Sequence, residues 1–473
     1  VTPWPSPPHE ATRTVPGDVG SDATAAHGRR WDLVAGGAAL LFFAAMAGIG
    51  GYLQRDSYVL RSPFPPLEAW WMPHVGPGTP SAVTTAALVC VYGPALAQRL
   101  SWRALLWSAW ASAMAWTWSL ALVDGWQRGV AGRLEASGEY LAGVPRFDHA
   151  GPAVRGFTGH ILLNSPDNWP AHIAGHPIAA VLTFVGLDRI GLGGGAWAGA
   201  FCITAGTSAV VAVVTTLRIL TGEEHARAAA PFLVLFPGAV WVGASADGYF
   251  TGVAAWALAL LALAATRTSP GRTAAAGLGS GLLFGAALYL SYGLTLLVVP
   301  AAAILLCARS LRPLPYLLLG IAAVAAVFTV AGFNWWEAYG LLRTRYYQGF
   351  GGIRPYSYWF FGDLATVVAA AGLASAAGLR RAFAAVPASV EGGWRLRDPR
   401  TAATVLLPCG FLLAVLAADL SGMSKAETER IWLPFTLWLT TAAAFLPRRD
   451  RRPWLAVQAA AALLVNHLLL TVW

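Results

Sequence analysis

Residues 249–267 read YFTGVAAWALALLALAATR, with one charged side chain, Arg267, at the very end. Coiled as a helix at about 1.5 Å per residue, such a run matches a hydrocarbon core of roughly 30 Å. A helix is required there, because lipid offers no partner for a free backbone N–H or C=O. A polar turn follows at 268–272, and residues 273–291 then repeat the pattern as TAAAGLGSGLLFGAALYLS. Arg267 and Arg272 bracket that turn, as the positive-inside rule expects at a cytoplasmic face.

Outward from this hairpin, apolar segments fall at roughly 31–53, 81–98, 103–123, 177–193, 195–217, 228–246, 293–308, 313–333, 357–379, 402–419, 431–447 and 454–472. Arginine-bearing connectors mark one side of them: Arg99/Arg103, Arg218/Arg227, Arg309/Arg312, the Arg380–Arg400 loop and Arg448–Arg452. The alternation of sides is consistent up to residue 176 and again from 218 onward. Between them the parity fails, so 177–193, with Asp188-Arg189 and its Gly-rich end, is expected to re-enter or to stop short of a crossing. The fold class is therefore all-α, a polytopic transmembrane helical bundle with about 13 crossings and a large outer loop bearing interfacial helices. Residues 1–28, rich in Pro and small polar residues, read as a disordered cytoplasmic tail, leaving 29–473 as the membrane domain in the cell membrane.

Composition agrees. Of 473 residues 56% are hydrophobic and only 12% charged, about half the charged share of a soluble domain. The net charge of +9 does not point to nucleic acid, since Lys425 is the only lysine and most arginines sit in short loops. Cys90, Cys202, Cys307 and Cys409 lie far apart inside apolar segments and form neither a CxxC pair nor a disulfide framework.

Four connectors remain for the outer face: 54–80, the long 124–176 loop, 334–356 and 420–430. Outer loops should be poor in arginine, yet these hold Arg128, Arg133, Arg146, Arg155, Arg343, Arg345, Arg354 and Arg430. Cations on that side, mixed with acids and aromatics, suggest an anionic ligand. Long loops also tolerate charge on either side, so the clustering weighs more than any one arginine.

Asp124 sits where the third span leaves the membrane, placed to take a proton from a hydroxyl arriving from outside, though a solvated helix end reads the same way. In the loop beyond, Leu134, Tyr140 and Leu141 suit a helix in the interface with Trp126 as its anchor, and Glu135 reads as a solvated loop residue. Glu139 and Asp148 are further acids there. His172 and His176 are four apart, but Pro170 and Pro177 flank them and no third zinc ligand is evident; His176 is better read as a donor to a phosphate or sugar. Ser245-Ala246-Asp247-Gly248 makes a near loop-free turn in which Asp247 is either a turn residue or a functional acid. Arg343, Arg345 and Arg354, beside Tyr346 and Tyr347, could clamp a lipid phosphate. Lys425, Glu429 and Arg430 keep an ion cluster just before a span. No Walker loop, dinucleotide fingerprint, GxSxG or HExxH is present, which argues against an ATPase or a soluble-type hydrolase.

At these residues the chain resembles the GT-C superfamily of polytopic glycosyltransferases, in the branch of protein mannosyltransferases and aminoarabinose transferases, and more closely actinobacterial membrane proteins of that type. The likeness rests on Asp124 opening a large outer loop, His176-Pro177 entering the next span, Ser245 with Asp247, and the run Glu429-Arg430-Ile431-Trp432-Leu433. It implies a polyprenyl-phosphate sugar donor, a glycan, lipid or protein acceptor, and a base in the large loop: Asp124, with Glu139 or Asp148 as substitutes. It implies substrate-binding roles for His176, Asp247, Arg343, Arg345, Arg354, Lys425, Glu429 and Arg430. A bridging divalent metal is left open, with Asp124, Asp148 and Asp247 as oxygen ligands. The chain departs in carrying its large loop after the third span and Ile178 after His-Pro. A polytopic lipid or sugar transporter or flippase is the alternative, and a structural membrane protein the third class; no internal repeat of the kind transporters show is evident.

Overall fold

The computed structural model describes residues 19–55, 57–391, 395–396 and 399–471. Every long element among them is a helix; strands occur only as two short pairs. α1 (Val19–Leu53) begins inside the stretch expected to be a tail, and residues 1–18 of that tail lie outside the described residues. Strand β1 (Ala69–Trp71) follows, then α2 (Thr79–Arg99) and α3 (Trp102–Ala121), which form a hairpin.

The 124–176 loop carries only short pieces, among them α4 (Ala150–Arg155) and α5 (Ala171–Gly175). The interfacial helix expected over Leu134–Leu141 is not there. Leu134 and Tyr140 are buried inside the protein, and Trp126, exposed, stacks on Trp118 of α3. The loop folds inward because its aromatics find rings to pack on: Phe147 and Phe157 both stack against Trp169.

α6 (Ala179–Arg189) has 11 residues, roughly half the length a crossing needs. Its last arginine donates to the Phe147 carbonyl at 2.8 Å, so the helix returns to the loop it left. α7 (Gly195–Thr207) and α8 (Ala209–Leu220) act as one span, and α9 (Glu223–Val234) and the single turn α10 (Ala239–Val242) follow, separated by a break that contains Pro237. α11 (Ala246–Thr266) is buried on nearly every side and packs on α7, α8, α12 (Pro270–Leu290), α13 (Val298–Ala308) and α20 (Leu433–Leu439). α14 (Leu314–Val330) lies along α12, and α15 (Trp335–Gln348) leaves it at 78°. α16 (Tyr356–Ala371) meets α17 (Leu373–Ser389) at 101°. The pair β2 (Val390–Glu391) and β3 (Arg395–Leu396) leads to α18 (Pro399–Leu420), the single turn α19 (Thr428–Ile431), α20, α21 (Arg451–Leu468) and β4 (Leu469–Thr471).

Among the described residues six helices are long and apolar enough to cross a membrane, or up to eight if each bent pair is one span. The chain is thus a multi-pass membrane bundle; the larger number expected from the sequence would need shorter or broken segments to cross as well. The connectors sort into two groups at opposite helix ends. In the N-terminal half of α1, Asp32 is fully buried and gripped by Arg380 and Arg381, while Arg29 reaches Asp450. In the same group Arg218 and Arg227 share Glu223, and Arg448 meets Glu224. The four connectors expected on the outer face converge at the other end, where β1 pairs with β4 in register Ala69 to Thr471.

Candidate functional site

Asp124 closes a 3-10 turn at the end of α3, where chain direction changes at Gly125. Its Oδ1 lies 2.7 Å from His74 Nε2, and its Oδ2 accepts from Arg133 Nη2 at 3.0 Å. Arg133 also donates to the Thr471 carbonyl at 2.9 Å. The carboxylate is about 7% exposed, so the acid expected at an open mouth is instead paired between three chain segments. Two charge-assisted contacts fix its position firmly.

Further along the loop, a small chamber forms among Glu139, Tyr140, His172, Ser245, Asp247 and Arg430, with Arg133 and Leu134 also lining it. Its volume is about 10 Å³, which suits a single water at most. Ser245 caps α11 by accepting from the Asp247 N–H at 3.2 Å, which sets Asp247 in the first turn facing inward. Asp247 pairs with Arg430 Nη1. Arg430 Nη2 donates to Glu427 Oε2 at 2.7 Å and, at 3.5 Å, to His172 Nε2. A guanidinium only donates, so that ring nitrogen accepts and the imidazole proton stands on Nδ1, 3.1 Å from Glu139 Oε1. Tyr140 packs edge-on against His172 and His176 and stacks on Phe184. His176 turns its Nδ1 to the His172 carbonyl at 2.8 Å, and burial holds its imidazole down at about 4, so it is neutral within this ring cluster.

A buried ion network continues from Arg430. Glu427 lies between Arg430 and Arg354, and Arg354 reaches Glu68 at 3.2 Å and the carbonyls of Lys425 and Arg61. Glu429 accepts from the Glu68 N–H at 2.9 Å, and its Oε2 is buried with no hydrogen-bond partner. Burial opposes ionisation of Glu427, but Arg430 and Arg354 outweigh it and hold that carboxyl at about 2. Burial, then the Glu427 charge, pushes Glu68 up to about 8. Burial pushes Glu429 up to about 7. Ala426 and Glu427 adopt left-handed backbone, φ 70° and 63°, a conformation that costs a non-glycine residue energy. Asp363 of α16 holds the strained turn by accepting from Ala426 N at 3.0 Å and Thr428 Oγ1 at 3.2 Å.

The three expected phosphate-clamping arginines are not one group. Arg354 is buried in the ion network, whereas Arg343 and Arg345 ride on α15, Arg343 exposed and Arg345 with its Nη1 buried and unpartnered. Lys425 Nζ donates to the Gly351 carbonyl at 2.8 Å. Asp148 lies outside the chamber, on a separate cavity with Glu135 and Asp188. Glu135, expected to be merely solvated, accepts from Gly195 N at 2.8 Å and so holds the start of α7. Among the described residues no group of three or more His, Cys, Asp and Glu is placed to hold a metal ion. His74, Glu68, Glu427 and Asp363 were not singled out from sequence. Only Glu427 had a local sign, its place between Lys425 and Glu429–Arg430.

No protein family, curated protein or solved structure matches the chain.

Proposed function

We propose that this chain transfers a sugar from a polyprenyl-phosphate donor to an acceptor hydroxyl at its outer face, with Glu139 as the general base. One observation carries the reading: the Glu139 carboxylate lies in a chamber at the head of α11, beside a histidine whose proton faces it and a guanidinium that fixes that histidine. A base needs a defined position and a neighbour that orients it without consuming both oxygens. Glu139 meets those conditions better than Asp124, whose two oxygens are both paired.

The chamber is too small for an acceptor, which reaches Glu139 by displacing the turn around Leu134–Tyr140. Arg343 and Arg345 on α15 supply cations for the departing lipid phosphate, since Arg354 and Arg430 are already matched by carboxylates. An inverting displacement at the sugar carbon would then move the hydroxyl proton to Glu139 as the phosphate leaves. On this reading the chain makes about thirteen crossings, with α9–α10, α13, α20 and α21 each carrying the chain across and α6 not.

The test is transfer of labelled sugar from a polyprenyl-phosphate donor by purified variants, with thermal stability measured alongside. Glu139→Gln keeps size and hydrogen bonding but removes the basic oxygen, and turnover should fall by about two to four orders of magnitude. Asp124→Asn should lower stability more than the rate per folded molecule. Near-normal transfer by the folded Glu139→Gln protein would end the assignment.

A further inference from the structure

A second cavity, about 420 Å³ in volume, opens between α6, the turn at 141–147 and the bend before α7. Its size falls in the range of small-molecule sites, about 300–1,000 Å³. The walls are apolar, with Leu141, Val144, Phe184, Leu187 and Leu192. The charged groups lining it are all acids: Glu135, Asp148 and Asp188.

The bend is shaped for this. Gly191 and Gly194 have φ of 83° and 85°, which L side chains rarely adopt. At Gly193 a Cβ would come 2.3 Å from Asp188 Oδ1, so only glycine lets that carboxylate curl over the bend. Across it, Glu135 Oε1 accepts from Gly195 N, tying the cavity floor to the start of α7.

The cavity backs directly onto the Glu139 chamber. Leu134 and Tyr140 line the chamber, and their neighbours Glu135 and Leu141 line the cavity. Phe184 faces the cavity and stacks on Tyr140 with ring centroids 5.3 Å apart. A single layer of side chains separates the two spaces.

We propose that this cavity binds the sugar head of an uncharged glycoside. Carboxylates accept from hydroxyls, and apolar walls cover the C–H faces of a sugar ring and the start of its aglycone. Among the lining residues a phosphate meets no cation, so the donor's charged group belongs elsewhere. The assignment rests on the transfer reading only in calling the glycoside the acceptor; the binding itself requires no transfer.

The experiment uses the full chain in lipid nanodiscs with a photoactivatable alkyl glucoside, the labelled peptides being read by mass spectrometry. Labelling should fall within 141–148 and 184–194 and be competed by plain octyl glucoside. Octylamine and octyl phosphate should compete poorly. Asp148→Asn with Asp188→Asn, both at exposed positions, should weaken labelling about tenfold, and Ala142→Trp, which fills the mouth, should abolish it. Labelling elsewhere, or labelling that neither variant changes, overturns the proposal, as does stronger competition by the amine or the phosphate. If glucoside labelling behaves as expected while Glu139→Gln still transfers sugar normally, the binding site stands and the transfer mechanism falls.

Discussion

Glu68, Glu427 and Glu429 are three carboxyls in one buried network, yet only Glu427 has a guanidinium on either side. The other two carry carboxyls pushed up to about 8 and about 7 from an ordinary 4.5. A folded-state value raised in this way means that the folded protein holds protons the unfolded chain has released. The stability these groups support is complete below the unfolded value and is lost as pH rises through about 7 and then about 8. The thermal midpoint should therefore decline steadily from about pH 5 to about pH 8.5, and Glu68→Gln should flatten the upper part of that decline. A pH profile unchanged by Glu68→Gln would mean the network's protons lie elsewhere. Glu427 works in the opposite direction, its contribution being lost as pH falls from about 4.5 to about 2, outside that window. At this scale the sequence was partly legible. Asp247, Glu429 and Arg430 were marked because charge beside a span is costly and needs a reason, and Glu139 only as a further acid of the large loop. Asp124 was marked by the same argument, but position along the chain cannot reveal that His74 and Arg133 arrive to pair it. Its role depends on contacts from loops far apart in sequence.

At the scale of elements, α12 and α14 approach through glycine. Gly277, Gly281 and Gly285 recur every fourth residue along one face of α12, the spacing of a small-residue helix interface. A Cβ on Gly281 would lie 2.2 Å from the Leu317 carbonyl and 2.9 Å from Gly320 Cα. Gly281→Leu must push the helices apart and should destabilise the protein by about 1–3 kcal/mol or more. Gly279→Leu, where a Cβ would come no closer than 3.3 Å to a side-chain atom of Leu260, should cost less. Thermal unfolding in detergent compares the two, and equal losses would remove glycine packing as the cause. The existence of these helices was readable from 273–291 and 313–333, since length and apolarity set them. Their breaks were not. The 78° and 101° bends and the collapse of Leu134–Tyr140 into the core follow from what neighbouring elements leave uncovered.

For the whole molecule, the sorting of connectors into two groups is the feature the arginines announced. If the chain lies as the positive-inside rule orients it, Ser137→Cys, exposed in the large loop, should react with an impermeant thiol reagent on intact cells in a cysteine-free background. Thr268→Cys, exposed between α11 and α12, should react only after permeabilisation. The reverse pattern would invert the orientation and place the chamber on the cytoplasmic side. The joining of β1 to β4 has a separate bearing, on time. Residues 69–71 meet residues 469–471, Glu68 meets Arg354 and Glu429, and Arg133 meets Thr471. A ribosome working at about 5–20 residues per second delivers those later partners tens of seconds after the first outer loop has emerged. Throughout that interval the early loop is unmatched, its acids and its strand edge still open. The nascent protein is thus seated in the bilayer long before this end of the bundle is fastened, and an unfinished chain shows an open strand edge that a finished one has closed.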